Sequence, residues 1–188
     1  MKTTHLALAL ALAATPQLGA CSFCEGFSEV LQGEVAADVD IPTTFTSLPV
    51  TLQYPGNWSM DTDDPDHHPD TQFIIETTGE CQFMVFFVPS AVDERDILQE
   101  YVEQFSKLMP NPKRAAFDTW GRYKGAGTTL TGALLVIPGQ IRIFVHSDDD
   151  KGASFSIVEQ CYDEDMAEVR PGFQLIEGTF DWHPAGTE

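Results

Sequence analysis

Five carboxylates fall within ten residues in Asp61-Thr62-Asp63-Asp64-Pro65-Asp66-His67-His68-Pro69-Asp70, the densest run of metal-ligating atoms in the chain. Ca²⁺ takes six to eight oxygens, and the Asp61, Asp63 spacing matches the first ligands of an EF-hand loop. The glycine at the sixth place and the glutamate at the twelfth are missing, and two prolines restrict how the segment can wrap. His67 and His68 are adjacent, point in different directions and have no third zinc ligand in evidence. In so acidic a chain the run reads as a solvated loop. Asp61, Asp63, Asp66 and Asp70 are the candidate ligands if it holds a metal, and no cofactor is implied.

Other chemistry finds less support. No G-x-S-x-G elbow is present, His146 lies inside an apolar run, and His183 is near the C-terminus, so a nucleophile–base pair does not emerge. Carboxylates are too numerous for any glycosidase pair to stand out. Gly121, Gly125, Gly127 and Gly132 lack the strand–loop–helix setting of a phosphate cradle. The four cysteines are 21, 24, 81 and 161. Cys81 opens one apolar strand and Cys161 closes another, so a bridge between them is geometrically reasonable in an oxidising compartment. Cys24 can displace either of them or join two molecules. Cys21-Ser22-Phe23-Cys24 spells C-x-x-C, but it does not lie at a strand–helix turn, which argues against a redox site.

The 188 residues carry 10 Lys+Arg against 29 Asp+Glu, a formal net charge of -19. Such a chain repels phosphate backbones, so a broad nucleic-acid footprint is excluded. Five basic residues nevertheless cluster between positions 107 and 124: Lys107, Lys113, Arg114, Arg122 and Lys124. Lys107 suits a helix C-terminus on its own account. Together the five form a candidate docking patch for an acidic partner or lipid headgroups.

The N-terminus supplies an address. Lys2 is followed by nine residues of nothing but Leu and Ala, from Leu6 to Ala14, then by Leu18-Gly19-Ala20-Cys21. The apolar run is too short to span a bilayer and has the form of an export signal. Leu-Gly-Ala-Cys resembles the lipobox of bacterial lipoproteins. That resemblance implies diacylglycerol on the Cys21 sulfur and cleavage before it, giving a durable anchor through two or three buried chains. Ser22 in place of Asp resembles the outer-membrane sorting signal, with the protein facing the periplasm. Losing residues 1–20 removes Lys2 and no acid, taking the net charge from -19 to -20.

Positioning elements follow from periodicity. Residues 21–42 read as an acidic tether and 43–188 as the domain. Val50, Leu52 and Tyr54 alternate as a strand. Residues 72–78 form a second strand, and the run from Gln82 to Val88, apolar on both faces, forms a covered central one. Ile97, Leu98, Tyr101, Val102, Phe105 and Leu108 fall at helical spacing, with Asp93 as cap and Met109-Pro110 as stop. Strands return at 122–123, 128–137, 140–147 and 153–162, the last two joined by an Asp148–Gly152 hairpin loop. A short helical start at 163–169 precedes a second piece that Pro171 opens and that ends near Gly178, after which Phe180 and Trp182 tuck onto the domain. The class is α+β, a single antiparallel sheet of about six strands with two main helices.

Tyr54-Pro55-Gly56-Asn57-Trp58, the first helix after the third strand, and Leu175-Ile176-Glu177-Gly178-Thr179-Phe180 resemble the PsbP-like superfamily. That superfamily includes Mog-type proteins and DcrB-type bacterial lipoproteins. The resemblance spans about residues 43–182. It implies the same fold and an adaptor or assembly role, with no shared catalytic residues. The expected function is an envelope-anchored, non-enzymatic module bound to another envelope protein. A metal-assisted envelope enzyme, or a solute-binding module, using loop 61–70 is the alternative.

Overall fold

The computed structural model describes residues 35–47, 49–60, 68, 70–134 and 136–184. Its elements are β1 (Thr43–Thr46), β2 (Val50–Tyr54), β3 (Ser59–Met60), β4 (Gln72–Glu76), β5 (Gln82–Val88), α1 (Glu94–Phe105), β6 (Lys113–Trp120), β7 (Tyr123–Leu134), β8 (Ile137–Asp148), β9 (Ala153–Tyr162), α2 (Met166–Thr179) and β10 (Asp181–Trp182). All strand pairs are antiparallel. They build a seven-stranded sheet in the order β3-β4-β5-β9-β8-β7-β6 and a three-stranded sheet in the order β1-β2-β10.

The α+β class is as expected, but the single six-stranded sheet is not. Val50 and Leu52 of β2 are fully buried, and β2 lies against α2 rather than joining the main sheet. Its two edges take β1 and β10 instead. Strand β6 went unseen because residues 113–116 are exposed on both faces, leaving no alternation to detect.

Strand β9 explains the layering. It sits between β5 and β8, and every residue from Ala153 to Glu159 is buried. Side chains alternate across a sheet, so both faces must be covered. Phe155, Ile157 and Cys161 enter a core with α2 and the small sheet, while Val158 enters one with Tyr101, Val102 and Phe105 of α1. Tyr101 also hydrogen-bonds Ser156, and burial pushes its phenol up to about 12.

Helix α1 starts where the sequence placed its cap: the Asp93 side chain accepts from the Arg95 and Asp96 N–H groups. Its helical run ends at Phe105, short of Leu108, and turns 106–109 lead to Pro110. The second helical region is one helix, not two pieces, and Pro171 lies inside it. Near the N-terminal end a proline removes one ladder hydrogen bond, a loss the packing of Val169, Phe173 and Ile176 offsets.

The Tyr54–Trp58 segment clamps α2. Trp58 meets Phe173 edge-on at 5.5 Å between ring centroids, and a Cβ at Gly172 would collide with the Trp58 ring and Pro55. Asn57 receives the incoming chain, accepting from the Asp38 N–H and donating to Ala36 O, both at 2.8 Å.

Two glycines of one helix therefore differ in sign. Gly172→Ala should cost about 1–2 kcal/mol, because overpacking outweighs alanine's helix preference. Gly178→Ala, whose Cβ would meet nothing within 4 Å, should gain up to about 0.5 kcal/mol. Urea denaturation of both variants checks this, and equal shifts would contradict the close approach.

Candidate functional site

The alternation of β8 and β9 brings two opposite charges to one interior face. Arg142 and Glu159 are direct cross-strand partners. Arg142 Nη1 lies 3.2 Å from Glu159 Oε1 and 2.8 Å from Glu177 Oε2, the latter delivered by α2. The Trp120 indole N–H donates to Glu159 Oε1 at 2.9 Å, and the Gly121 N–H donates to Glu177 Oε1 at 2.8 Å. Gly121 turns the β6–β7 hairpin at φ +55, a conformation that suits glycine. The Arg142 guanidinium also stands over the Phe117 ring, 4.7 Å from its centroid.

The two carboxyls respond oppositely. Burial pushes Glu159 above the ordinary carboxylate range, and Arg142 and Trp120 offset this only in part. Burial works in the same direction on Glu177, yet hydrogen bonds from Arg142 and the Gly121 N–H hold it below that range. The cluster thus ties β6 and its following turn, β8, β9 and α2 together, and its charged groups bond one another. Neither of the two best-formed depressions, about 330 and 430 Å³, borders it. One lies along Glu76–Gln82, Gln160 and Tyr162, the other around Val92–Arg95, Ser147 and Asp149; both carry acidic side chains.

At the opposite end of β8 from its hairpin with β7, His146 packs on Tyr123, Phe155 and Trp182, with Nδ1 2.7 Å from Lys124 O. The Tyr123 hydroxyl accepts from the Trp182 N–H at 2.8 Å, fixing β10 to the main sheet. The His183 Nε2 lies 3.6 Å from Asp181 Oδ2, and its backbone N–H donates to Pro49 O. Both histidines hold structure.

The sequence candidates fare unevenly. Cys81 and Cys161 are joined in a disulfide, buried, with Cα atoms 4.3 Å apart. Cys21, Cys24, Asp61, Asp63, Asp66 and His67 lie outside the described residues. Asp70 is exposed in a turn that His68 O closes by accepting from the Thr71 and Gln72 N–H groups. Among the described residues no three His, Cys, Asp or Glu side chains are placed to hold a metal. The five basic residues do not form one patch. Lys107, Lys113 and Arg114 sit at the start of β6, while Arg122 and Lys124 flank its far turn, about 20 Å of strand away. Arg122 is, moreover, ion-paired with Asp181. Sequence proximity concealed this because β6 itself went undetected. Arg142 and Glu159 were missed too, although each is a lone charge in an apolar strand.

No protein-family model matches the chain. No curated protein matches it. Solved structures do. The Ran-binding protein Mog1p of Saccharomyces cerevisiae matches at 14% identity over 76% of this chain and 96% of its own, with a TM-score of 0.50. LpqN of Mycobacterium tuberculosis, involved in cell envelope biogenesis, matches at 14% over 77% and 90%, TM-score 0.48. The cyanobacterial PsbP of Synechocystis sp. PCC 6803 matches at 13% over 88% and 98%, TM-score 0.46. The chain shares its fold with the Ran-binding protein Mog1p.

The charge cluster makes a signed pH prediction. Glu159, raised, contributes stability at acid pH that is lost as pH rises through its folded value. Glu177, lowered, contributes stability that is present above its ordinary value and lost as pH falls. Relative to wild type, Glu159→Gln should therefore become more stable between pH 4 and 8, and Glu177→Gln less stable. Arg142→Met, which strands a buried carboxylate, should cost about 3 kcal/mol at neutral pH. Urea titrations across that range check all three, and parallel pH profiles for the two Gln variants would contradict the assignment.

Proposed function

We propose that this chain is a bacterial envelope lipoprotein, held by diacylglycerol on Cys21, whose PsbP-like domain binds another envelope protein and performs no chemistry itself. One observation carries the second half. The interior polar groups that converge, Arg142, Glu159, Glu177 and the Trp120 indole, bond one another, and neither of the two best-formed depressions borders them. An active site needs convergent groups aimed at a space a substrate can enter. A domain whose converging charged groups bond one another offers its surface instead. The fold shared with the Ran-binding Mog1p supports this by analogy, since one such domain engages a protein partner.

The lipobox-like Leu18-Gly19-Ala20-Cys21 and the buried disulfide support export and anchoring. Among the described residues no helix is long and apolar enough to cross a membrane. The Ser22 position favours the outer membrane, facing the periplasm.

Cys21→Ser should abolish incorporation of labelled palmitate and move the protein from the membrane fraction to soluble or unprocessed forms. A variant that stays membrane-bound and correctly cleaved would remove the lipoprotein reading.

A further inference from the structure

Among the described residues, exposed large apolar side chains concentrate at one end of the domain. Val136, at the tip of the β7–β8 hairpin, is 85% exposed, Ile137 beside it 37%, and Val35, where the described chain begins, 54%. The other two, Val39 and Ile41, run beside the Pro55–Asn57 turn. Register places the first three together. Leu134 pairs with Ile137 and Gly139 with Tyr162, and the Asp163 N–H bonds Pro138 O. Cys161 is bridged to Cys81, which follows the β4–β5 turn, and Thr78 in that turn donates to Val35 O at 2.6 Å.

Three basic residues share this end. Helix α1 runs down β8 from Ser147, which bonds Glu94, toward Gly132, where Met109 packs. Lys107 follows the helix, and Lys113 and Arg114 pair in register with Thr131 and Leu130 of the hairpin. Among the described residues Lys107 and Lys113 have no ion-pair partner, and Arg114 contacts Ser106 Oγ at 3.4 Å. Among the described residues the acids Glu76, Glu80, Asp163 and Glu164 of this end lie on the β4, β5 and β9 side, and Glu103 lies in the last turn of α1. Cations therefore outnumber acids on the side of the hairpin toward β6, and acids flank it on the other.

We infer that this end is the face the domain sets against its own membrane. Val136 and Ile137 enter the lipid interface, and Lys107, Lys113 and Arg114 meet lipid phosphates, with the β6 flank tilted down. An apolar tip beside cations is how a soluble element lodges at a bilayer surface. The chain also enters here: Val35 is fourteen residues from Cys21, at most about 50 Å of extended chain. The inference rests on the proposed anchor for its orientation, since so negative a protein would not hold such a contact without tethering.

The test uses full-length protein purified from membranes, in a Cys24→Ser background, with an environment-sensitive NBD fluorophore at Val136→Cys or, at the opposite end, Asp149→Cys. It is reconstituted into phosphatidylethanolamine and phosphatidylglycerol vesicles containing nitroxide lipids. The probe at 136 should shift to the blue and be quenched several-fold more than the probe at 149. Lys107→Glu, Lys113→Glu and Arg114→Glu together should remove most of that difference. Protein that floats with the vesicles yet shows equal quenching at both sites overturns the docking face while leaving the anchor intact. A blue shift at 136 without vesicles also overturns it, assigning the tip to a second copy. If Cys21→Ser protein shows the same quenching at 136, the face stands and the anchor does not supply its orientation.

Discussion

A strand buried on both faces dictates this architecture. Strand β9 lies in the middle of the seven-stranded sheet with Ala153 to Glu159 all out of water. Neither α1 nor α2 alone can cover it, so the chain places one helix on each side and adds the small sheet beneath the second. A carboxylate on such a strand is costly unless paired. Glu159 obtains its partner from β8, its indole donor from β6 and, through Arg142, its link to α2. The polar contacts that satisfy one buried charge are the same ones that lock the second layer onto the sheet.

Much of this frame is legible in the residues. The two-faced apolar run of β5, the Asp93 cap and the Asp148–Gly152 hairpin are local features, written in periodicity and turn chemistry. The Tyr54–Trp58 segment was recognisable as a motif before its purpose was visible: Pro55 and Trp58 need the bare backbone of Gly172, a contact made across more than a hundred residues. What stayed hidden was non-local or unpatterned. An edge strand with Lys113, Arg114, Ala115 and Ala116 exposed looks like loop, and the shifted placement of β2 depends on α2 arriving later in the chain. Isolated charges inside apolar strands, at 142 and 159, were the one signal of the buried cluster. Their opposite signs on neighbouring strands would have paired them.

The same hidden strand changed the meaning of the basic residues. As a linear cluster, 107 to 124 looks like one docking patch. Laid out along β6 it becomes two groups at opposite ends, one with Arg122 ion-paired to Asp181 and the other beside an apolar hairpin tip. The sheet thereby separates the two basic groups along its length, while the interior charges at 142, 159 and 177 pair with one another.

That pairing rests on α2 and the main sheet behaving as one body, clamped by Arg142. Native-state hydrogen exchange on the full chain, resolved by residue, measures it most directly. Amides of β8, β9 and α2 should exchange with a common free energy close to that of global unfolding. If α2 and the β1-β2-β10 sheet open together at several kcal/mol below the β8 and β9 amides, the charge cluster is a latch that releases. The account of a closed, structural interior would then be contradicted.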